Sequence, residues 1–435
     1  MNPPSVSAVF ALTHRVRWRI FAFLFSFAFI AYFQQKGLTV AAERMMPDLS
    51  ISQVQVGWLE WAFVLGYAAF QFPSGVIGQR LGARVMFILI GGVAFLATVL
   101  TPLAPHVLQG GALFAVLFTL QLVMGLAQAG VFPVGSGVME AWFRPEKWAI
   151  IQGLQTMGMQ FAAGATPPLV AYLMNSVGWQ RALFWPALPA VLVIALWAWY
   201  GRNTPKEHPS VTAAELAELD VPAAEQSPTR VSKSPIMRVL ANRSIILLTC
   251  SYVCLNYVFY LIANWCFLYL VQERHFNILE SGWLAMIPPL AAGLGGGIGG
   301  KLVTVLCDRF GNRWGFRLLP MLALPASGML ILVAVNLNNP YGAVIALALA
   351  YLVLELNEGA FWGATMFVAR SDTMSATGVL NTGGNLGGLI GIPIVAYLSG
   401  GGHWTAAFVI GTVFALAGAV MWLGIDADKI IGHRS

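Results

Sequence analysis

Six ionisable side chains lie inside long apolar runs of the sequence, where a charge is costly and by default indicates a functional site. They are Lys36, Glu60, Glu140, Lys301, Glu355 and Glu358. Glu355 and Glu358 stand three residues apart, so they share a face if their run is helical. Repulsion between two such carboxylates favours a proton on one of them, and proton coupling requires a group that holds and releases a proton. The alternative is an ion pair or a structural polar network.

Lys36 offers the opposite charge and follows Gln34 and Gln35 directly in the first apolar run. An ammonium group there could attract an anion, although its long stem could also carry the charge outward to water. As a compact point charge it would lack the bidentate carboxylate recognition of an arginine. A contact between Lys36 and one glutamate of the pair, opening when a solute binds, is geometrically possible. We expect Glu140 and Lys301, near the ends of their runs, to be structural.

Tyrosine, asparagine and glutamine side chains form three further stripes at helical spacing. The members are Glu60, Tyr67 and Gln71, then Asn256, Tyr260 and Asn264 with Tyr257 beside them, then Asn381 and Asn385. Amides and phenols on one helix face suit hydrogen bonding to a hydroxylated anion. Any one of them could instead join two helices by a hydrogen bond, so the prediction of a polar solute site depends on the convergence of all three stripes.

The chain that carries these residues is too apolar for a water-soluble protein. Of its 435 residues 58% are hydrophobic and 10% are charged, and its mean hydropathy is +0.73. A soluble domain has about 25% charged residues. Apolar runs of about 20 residues, the length that crosses a bilayer, predict an all-α membrane protein in contact with lipid. The twelve predicted spans are 17–42, 55–79, 84–104, 111–140, 148–176, 180–201, 244–271, 280–306, 315–337, 341–369, 374–399 and 403–424.

One long polar segment, 202–243, interrupts the apolar runs and has the proline-rich, charged composition of a linker. It predicts a six-helix half over 1–201, a cytoplasmic linker over 202–243 and a second six-helix half over 244–435. Lysine and arginine concentrate in the linker and in the loops on the same side of the predicted membrane, so we expect both termini to be cytoplasmic in a multi-pass protein of the inner or plasma membrane. The net charge of +6 then reflects topology, and a nucleic-acid partner is not expected.

An internal repeat supports the division into two halves. The loop after the second span reads Gln79-Arg80-Leu81-Gly82-Ala83-Arg84, and the loop after the eighth span reads Asp308-Arg309-Phe310-Gly311-Asn312-Arg313. The same x-Arg-x-Gly-x-Arg frame thus recurs at the same place in each half. Two parallel halves with a binding site between them near the middle of the bilayer are the arrangement that such a repeat implies.

This frame resembles the signature loop of the major facilitator superfamily, and further motifs resemble its anion:cation symporter family. The motifs are IAYFQQ at 30–35, LTVAA at 38–42, GY at 66–67, QFPSG at 71–75, GLAQA at 125–129, FP at 132–133, WFRP at 142–145, NY at 256–257, NW at 264–265 and GVLNTGGNLGG at 378–388. The resemblance runs from about residue 17 to 424. It implies the major facilitator fold of two pseudo-symmetric six-helix halves, and the transport of sugar acids, other carboxylates or some inorganic anions, often with protons.

The sequence departs from that family where charge usually lies. Gln34 and Gln35 replace an Asp-Arg pair of which the Asp is a proposed proton carrier and the Arg a substrate contact. Gln128 replaces a glutamate that is a second proposed protonation site, and Gln79 replaces the loop aspartate of the inner gate. The proton-coupling residues of the family therefore do not carry over to these positions, and Glu355 and Glu358 remain as the candidates.

The stripes and the resemblance together predict three sets of site residues. We predict substrate binding at Gln34, Gln35, Lys36, Tyr67, Gln71, Gln128, Asn256, Tyr257, Tyr260, Asn264, Asn381 and Asn385. Proton coupling is predicted at Glu355 and Glu358. Cytoplasmic gate loops are predicted at Gln79, Arg80, Gly82 and Arg84, and at Asp308, Arg309, Gly311 and Arg313.

Several other classes of function find no support in the sequence. The four cysteines lie in apolar runs without metal-ligand spacing, and no cofactor or metal site is predicted. Without an ATP-binding motif or a histidine inside a span, an ATP-driven pump or an intramembrane enzyme is not expected, and a receptor would show a larger exposed domain. We predict a monomeric secondary carrier of a small organic anion, with proton symport. The alternative is an uncoupled facilitator or exchanger of a neutral or anionic solute, which the three membrane glutamines favour.

Overall fold

A computed structural model describes residues 16–219, 235–276, 283–400, 402–429 and 431. These residues form α-helices joined by short 3₁₀ turns and loops. In chain order the helices are α1 Val16–Leu49, α2 Gln53–Leu81, α3 Ala83–Leu103, α4 Gly110–Gln128, α5 Val131–Trp142, α6 Pro145–Val177, α7 Trp179–Phe184, α8 Ala187–Tyr200, α9 Ala213–Leu219, α10 Pro235–Leu240, α11 Arg243–Gln272, α12 Ile287–Asn336, α13 Pro340–Glu355, α14 Glu358–Ala369, α15 Thr373–Gly400 and α16 Trp404–Met421.

Eight segments of the described chain are both long and apolar enough to cross a membrane. Two of them hold two spans each. The 50-residue α12 is about 75 Å long at 1.5 Å per residue, more than twice the thickness of a hydrocarbon core. It changes direction at Gly311, whose φ of 72° and ψ of 166° are not helical. The 60-residue stretch Pro340–Ser399 contains α13, α14 and α15.

Two more spans, α2 and α6, are less apolar, and both carry buried glutamine, Gln71 on α2 and Gln152, Gln155 and Gln160 on α6. They have 29 and 33 residues, ample for a crossing of about 20. With them the described helices give the twelve spans predicted from the sequence, and the all-α fold is confirmed. The predicted ends differ by a few residues, most at α1, which continues to Leu49. The first residues of the predicted span 280–306 fall outside the described residues.

The segment predicted to be a linker contains two short helices, α9 and α10, while 220–234 lie outside the described residues. The Glu215 carboxylate accepts hydrogen bonds from the backbone N–H groups of Val16 and Arg17, both at 3.3 Å, and pairs with the Arg17 guanidinium at 3.2 Å. An acidic side chain at a helix N-terminus accepts hydrogen bonds from the free N–H groups and interacts favourably with the positive end of the helix dipole. The described start of the linker therefore caps the first span.

The two halves share local features at corresponding places. The fourth span is interrupted at Ala129 and Gly130, between α4 and α5, and the tenth span is interrupted at Leu356 and Asn357, between α13 and α14. Both repeat loops bend at a glycine with positive φ, 81° at Gly82 and 72° at Gly311, which a side chain would strain. The internal repeat of the sequence is therefore a repeat of structure.

Glycines bring helices into close contact within the halves and between them. A Cβ added at Gly299 would lie 2.0 Å from the Leu356 carbonyl oxygen, which lies in the same half. Between the halves, a Cβ at Gly153 would lie 2.2 Å from the Gly296 carbonyl oxygen. Such contacts need positions without a side chain, as is common in membrane helices. Close helix packing therefore explains the glycines of α12 that make these contacts.

Candidate functional site

A cavity lies between the two halves. This space is here called the central cavity. Its wall consists of Tyr32, Tyr67, Phe132, Thr156, Met159, Tyr252, Asn256, Phe259, Tyr260, Glu355, Glu358, Trp362, Asn381 and Asn385. Seven of these side chains are aromatic, two are carboxylates and none is a lysine or an arginine. Among the described residues, this is the site where the predicted polar stripes meet.

The two glutamates of the wall are almost fully buried and have different partners. The Glu358 carboxylate accepts hydrogen bonds from the Tyr252 hydroxyl at 3.1 Å and from the Trp362 indole N–H at 2.8 Å. Neither oxygen of Glu355 has a hydrogen-bond partner in good geometry among the described residues, although the Gln160 amide lies close to them. The interruption of the tenth span at Leu356 and Asn357 falls between them. Glu358 is therefore held by donors, and Glu355 faces the cavity with free acceptors.

Amides and phenols connect the halves across the cavity. The Asn381 amide donates to the Gln71 side-chain oxygen at 2.8 Å, and Tyr67 lies within hydrogen-bond reach of both. On the other side, the Tyr260 hydroxyl donates to the Asn385 oxygen at 3.1 Å, and the Asn385 amide donates to the Asn381 backbone carbonyl. Four of the predicted stripe residues thus form one network with Gln71. This network can exchange its hydrogen bonds for those of a solute.

Lys36 is half-buried and lies one helical turn beyond Tyr32, outside the wall of the central cavity. Glu60 is the charged group whose field acts on it. From the sequence, a contact of Lys36 with Glu355 or Glu358 was geometrically possible, whereas the structure gives Lys36 the neighbouring charge of Glu60. Residues four apart on α1 lie about one turn apart along the helix axis, so Lys36 starts one turn beyond the cavity-wall residue Tyr32.

Gln34 and Gln128 contact each other inside the first half. The Gln128 amide donates to the Gln34 oxygen at 2.9 Å, and both side chains border a separate, mostly apolar space between α1, α3, α4, α5 and α8. Gln35 is half-buried. None of these three glutamines is in the wall of the central cavity. They form a neutral pair, with Gln35 beside it, at positions where the family commonly carries charge.

Two further predicted contacts also lie away from the wall. The Tyr257 ring stacks on Phe414, with centroids 4.3 Å apart and planes at 4°, and packs against the last span. Asn264 is exposed on α11, about one turn beyond Tyr260. Both residues were predicted from the polar stripe on α11. That stripe turns around the helix axis, so part of it no longer faces the cavity.

Sequence reasoning missed Tyr252, Trp362, Tyr351 and Gln160. Tyr252 lies four residues before Asn256 and Trp362 lies four residues after Glu358, so extending each stripe by one turn would have included them. The Gln160 amide donates to the Tyr351 hydroxyl at 3.2 Å, which joins the fifth and tenth spans beside Glu355. No short motif in the sequence marks that pair.

The halves also contact each other at the end of the molecule that carries the repeat loops, here called the arginine-rich end and predicted to be cytoplasmic. The Gln79 amide donates to the Ser371 carbonyl at 3.2 Å, and its oxygen accepts from the Ser375 hydroxyl at 2.5 Å. Glu140 lies within hydrogen-bond reach of Thr373 across the same boundary. In the linker, two hydrogen bonds to Asp372 raise the pKa of Arg238. This end is closed.

The other residues of the predicted gate loops stay within their own halves. The Arg84 backbone N–H donates to the Asn203 side chain, and its guanidinium donates to the Ala198 carbonyl. Arg313 lies 3.9 Å from Asp426 in the second half. The remaining side chains, Arg80, Asp308 and Arg309, are exposed. Of the eight predicted gate-loop residues, Gln79 is the one for which the structure gives hydrogen bonds to the opposite half.

No group of three or more metal-ligating side chains occurs among the residues that the structure describes. The wall of the central cavity offers hydrogen bonds, aromatic faces and two carboxyl groups. Such a wall can bind a small polar solute, and its carboxyl groups can take up protons.

Comparisons with known proteins agree with this architecture. The family model "Major Facilitator Superfamily" matches residues 24–370. The chain is 26% identical over 404 residues to the probable sulfoacetate transporter SauU of Cupriavidus necator, covering 93% of this chain and 91% of the relative. It is 26% identical over 425 residues to the probable galactarate/D-glucarate transporter GudP of Bacillus subtilis, with 94% and 91% covered. The hexuronate transporter of Bacillus subtilis is 23% identical over 396 residues, with 90% of each chain covered.

A solved structure has the same fold. The proton:xylose symporter XylE, a member of that superfamily in complex with 6-bromo-6-deoxy-D-glucose, superposes with a TM-score of 0.75 over 94% of this chain and 96% of its own. The two sequences are 10% identical, so the likeness concerns the fold.

Proposed function

The chain belongs to the major facilitator superfamily, and we propose that it is a secondary transporter that carries a small organic anion together with protons. The two halves would alternate in opening the central cavity to either side of the membrane. The relatives named for sulfoacetate, galactarate, D-glucarate and hexuronate support an anionic solute. We further propose a monomer of the inner or plasma membrane with cytoplasmic termini, halves at 1–201 and 244–435, and a cytoplasmic linker at 202–243.

The observation that carries the proton coupling is the pair of buried carboxylates in a cavity wall without a lysine or arginine among its described residues. An anion 4 Å from one ionised carboxylate is repelled by about 4 kcal/mol at an effective dielectric constant of 20, which is close to a thousandfold in affinity. A protonated carboxyl instead donates a short, strong hydrogen bond to an anion. The anion would therefore bind after a proton has neutralised Glu355 or Glu358.

A second candidate function follows from the same wall. Carboxylates surrounded by aromatic faces also suit an organic cation, which both groups attract. Tyr252, Phe259 and Trp362 would provide the aromatic faces. In that case the ionised glutamates would be the substrate contacts, and proton uptake would oppose binding.

The pH dependence of binding distinguishes the two candidates, because their signs are opposite. Calorimetry on the purified protein, with D-glucarate and sulfoacetate as anionic probes and choline as the cationic probe, should give tighter anion binding as the pH falls. Glu358→Gln, which cannot ionise, should remove most of that dependence while the protein elutes and melts like the wild type. Choline binding that tightens as the pH rises, without anion binding, would replace the anion by a cation.

Transport measurements test the coupling itself. In proteoliposomes an inward-directed proton gradient should accelerate uptake of the anion that binds. Glu358→Gln should abolish the acceleration and leave counterflow intact, because exchange by the loaded carrier needs no net proton release. Glu355→Gln should have a weaker effect if that residue only tunes its neighbour. Uptake that responds neither to a pH gradient nor to a membrane potential would indicate the uncoupled facilitator.

A further inference from the structure

The sixth helix contains two glutamines whose side chains are fully buried without hydrogen bonds. Gln152 and Gln155 are each 0% exposed. All four of their amide nitrogen and oxygen atoms lack a hydrogen-bond partner among the described residues. Buried amides are normally paired, and each unpaired one destabilises the conformation that contains it. Two adjacent examples on one helix therefore need an explanation.

Their position connects them to the central cavity. Gln152 lies four residues before Thr156 and seven before Met159, which are both in the cavity wall, so the three share one face of α6. Since α6 begins at Pro145 beside the arginine-rich end, Gln152 lies one turn nearer to that end than the cavity does. Gln155 is on the next face, where its amide would lie 3.2 Å from a Cβ at Gly135 on α5. Gln152 is therefore buried between the cavity and the closed end, whereas Gln155 faces α5 inside the first half.

Neighbouring contacts show why nothing reaches the Gln152 amide in the closed arrangement. One helical position from Gln152, Gly153 contacts the Gly296 backbone of the opposite half. Separation of the halves at this end would break that contact and open the face of α6 that continues from Thr156. The Gln152 amide would then line the route between the cavity and the arginine-rich side. It offers both donors and an acceptor to a hydroxylated or carboxylated solute.

We propose that Gln152 forms a second, release-side binding subsite for the transported solute, which is hidden while the arginine-rich end is closed. The solute would pass from the aromatic and acidic central cavity to an uncharged amide before it leaves. Because the subsite rests on the alternating access proposed above, its test must separate exposure of Gln152 from binding of the anion.

Thiol labelling from the arginine-rich side provides that test. Gln152→Cys, in a variant without the four native cysteines, should react with a membrane-impermeant maleimide in vesicles that expose this side. D-glucarate or sulfoacetate, whichever binds the wild type, should slow its labelling about tenfold. Met374→Cys is the matched control, because Met374 contacts Gly137 across the same closed boundary but lies on α15. Its labelling should change less than twofold if the solute occupies the subsite and does not merely close the gate.

Two outcomes would overturn the subsite. Equal protection of both cysteines by the solute would mean that the solute acts through closure alone. Absence of labelling at Gln152→Cys would mean that position 152 stays buried. Failure of both anions to bind the wild type would instead remove the proposed function, while labelling without solute would still report the exposure of Gln152.

Apolar replacements give an independent measurement. Gln152→Leu should lower the maximal rate of net transport about tenfold and change the affinity for the anion measured with the arginine-rich end closed less than threefold. Thr166→Val on the same helix removes a buried hydroxyl that already bonds to the Ala162 carbonyl, and should leave both quantities unchanged. A parallel loss of affinity and rate in Gln152→Leu would assign this residue to packing of the closed state.

Discussion

Gly75 controls how closely the halves can meet at the arginine-rich end, and Gly75→Ala should open that end. A Cβ at Gly75 would lie 2.2 Å from the Met374 carbonyl oxygen and 2.8 Å from its carbonyl carbon. Both atoms are backbone, so no side-chain rotation relieves the overlap, and the helices must separate by about 1 Å to reach an ordinary contact distance. Overpacking of this kind costs about 1–3 kcal/mol.

The cost applies only to the conformation in which the two helices touch. The gain in helix propensity from glycine to alanine, about 1 kcal/mol, applies to both conformations and cancels. The ratio of closed to open molecules at this end should therefore fall roughly 5- to 150-fold. If the closed form is the one that binds solute from the opposite side, affinity measured from that side should fall in proportion to its population.

Distances between spin labels at Glu146 and Arg309, exposed residues of opposite halves, would report the change in a background without native cysteines. The distribution should shift to longer distances in Gly75→Ala. Gly57→Ala is the matched control on the same helix, because a Cβ there meets nothing within 4 Å. Indistinguishable distributions in the two variants would show that the Gly75–Met374 contact does not limit closure.

Three further outcomes are expected. Tyr67→Phe should raise the apparent KM for the anion several-fold without reducing the amount of folded protein, whereas Asn264→Ala, exposed outside the cavity wall, should leave KM unchanged in the same uptake assay. Lys36→Ala should weaken calorimetric binding of the anion more than that of a neutral sugar, and equal effects on both would exclude an electrostatic role. Glu215→Ala removes the cap of α1 and its buried ion pair with Arg17. It should lower the free energy of unfolding by about 2 kcal/mol, measured by thermal unfolding. An unchanged Tm would show that the linker only rests on the helix.

The fold could be predicted from the sequence because hydrophobic length and charge bias act on every span separately. The site could be predicted only in part, and α11 shows why. Residues four apart on a helix differ by about 40° around its axis, so Tyr252, Asn256 and Tyr260 stay on the cavity side, whereas Asn264 has turned away. Tyr257 is about 100° from Asn256 and meets Phe414. Periodicity identifies a polar face, but only the neighbouring helices decide where that face ends.

Pairs formed between distant spans were beyond sequence reasoning for a different reason. The contact between Gln160 and Tyr351 and the buried position of Gln152 depend on how the halves approach, which no local pattern encodes. A glutamine in an apolar run has the same sequence signature whether it meets a partner, a solute or nothing.

The placement of the acids follows from the repeat of structure. Gln128 is the last residue of α4 before the interruption of the fourth span, and Glu355 is the last residue of α13 before the interruption of the tenth. The two positions correspond between the halves. At the first of them the anion:cation symporter family commonly has a glutamate, and here its amide is paired with Gln34 inside one half. The corresponding position of the other half carries a carboxyl with unpaired oxygens in the cavity wall. The two corresponding positions therefore differ in their surroundings, because Glu355 is in the wall of the central cavity and Gln128 borders a separate space inside the first half.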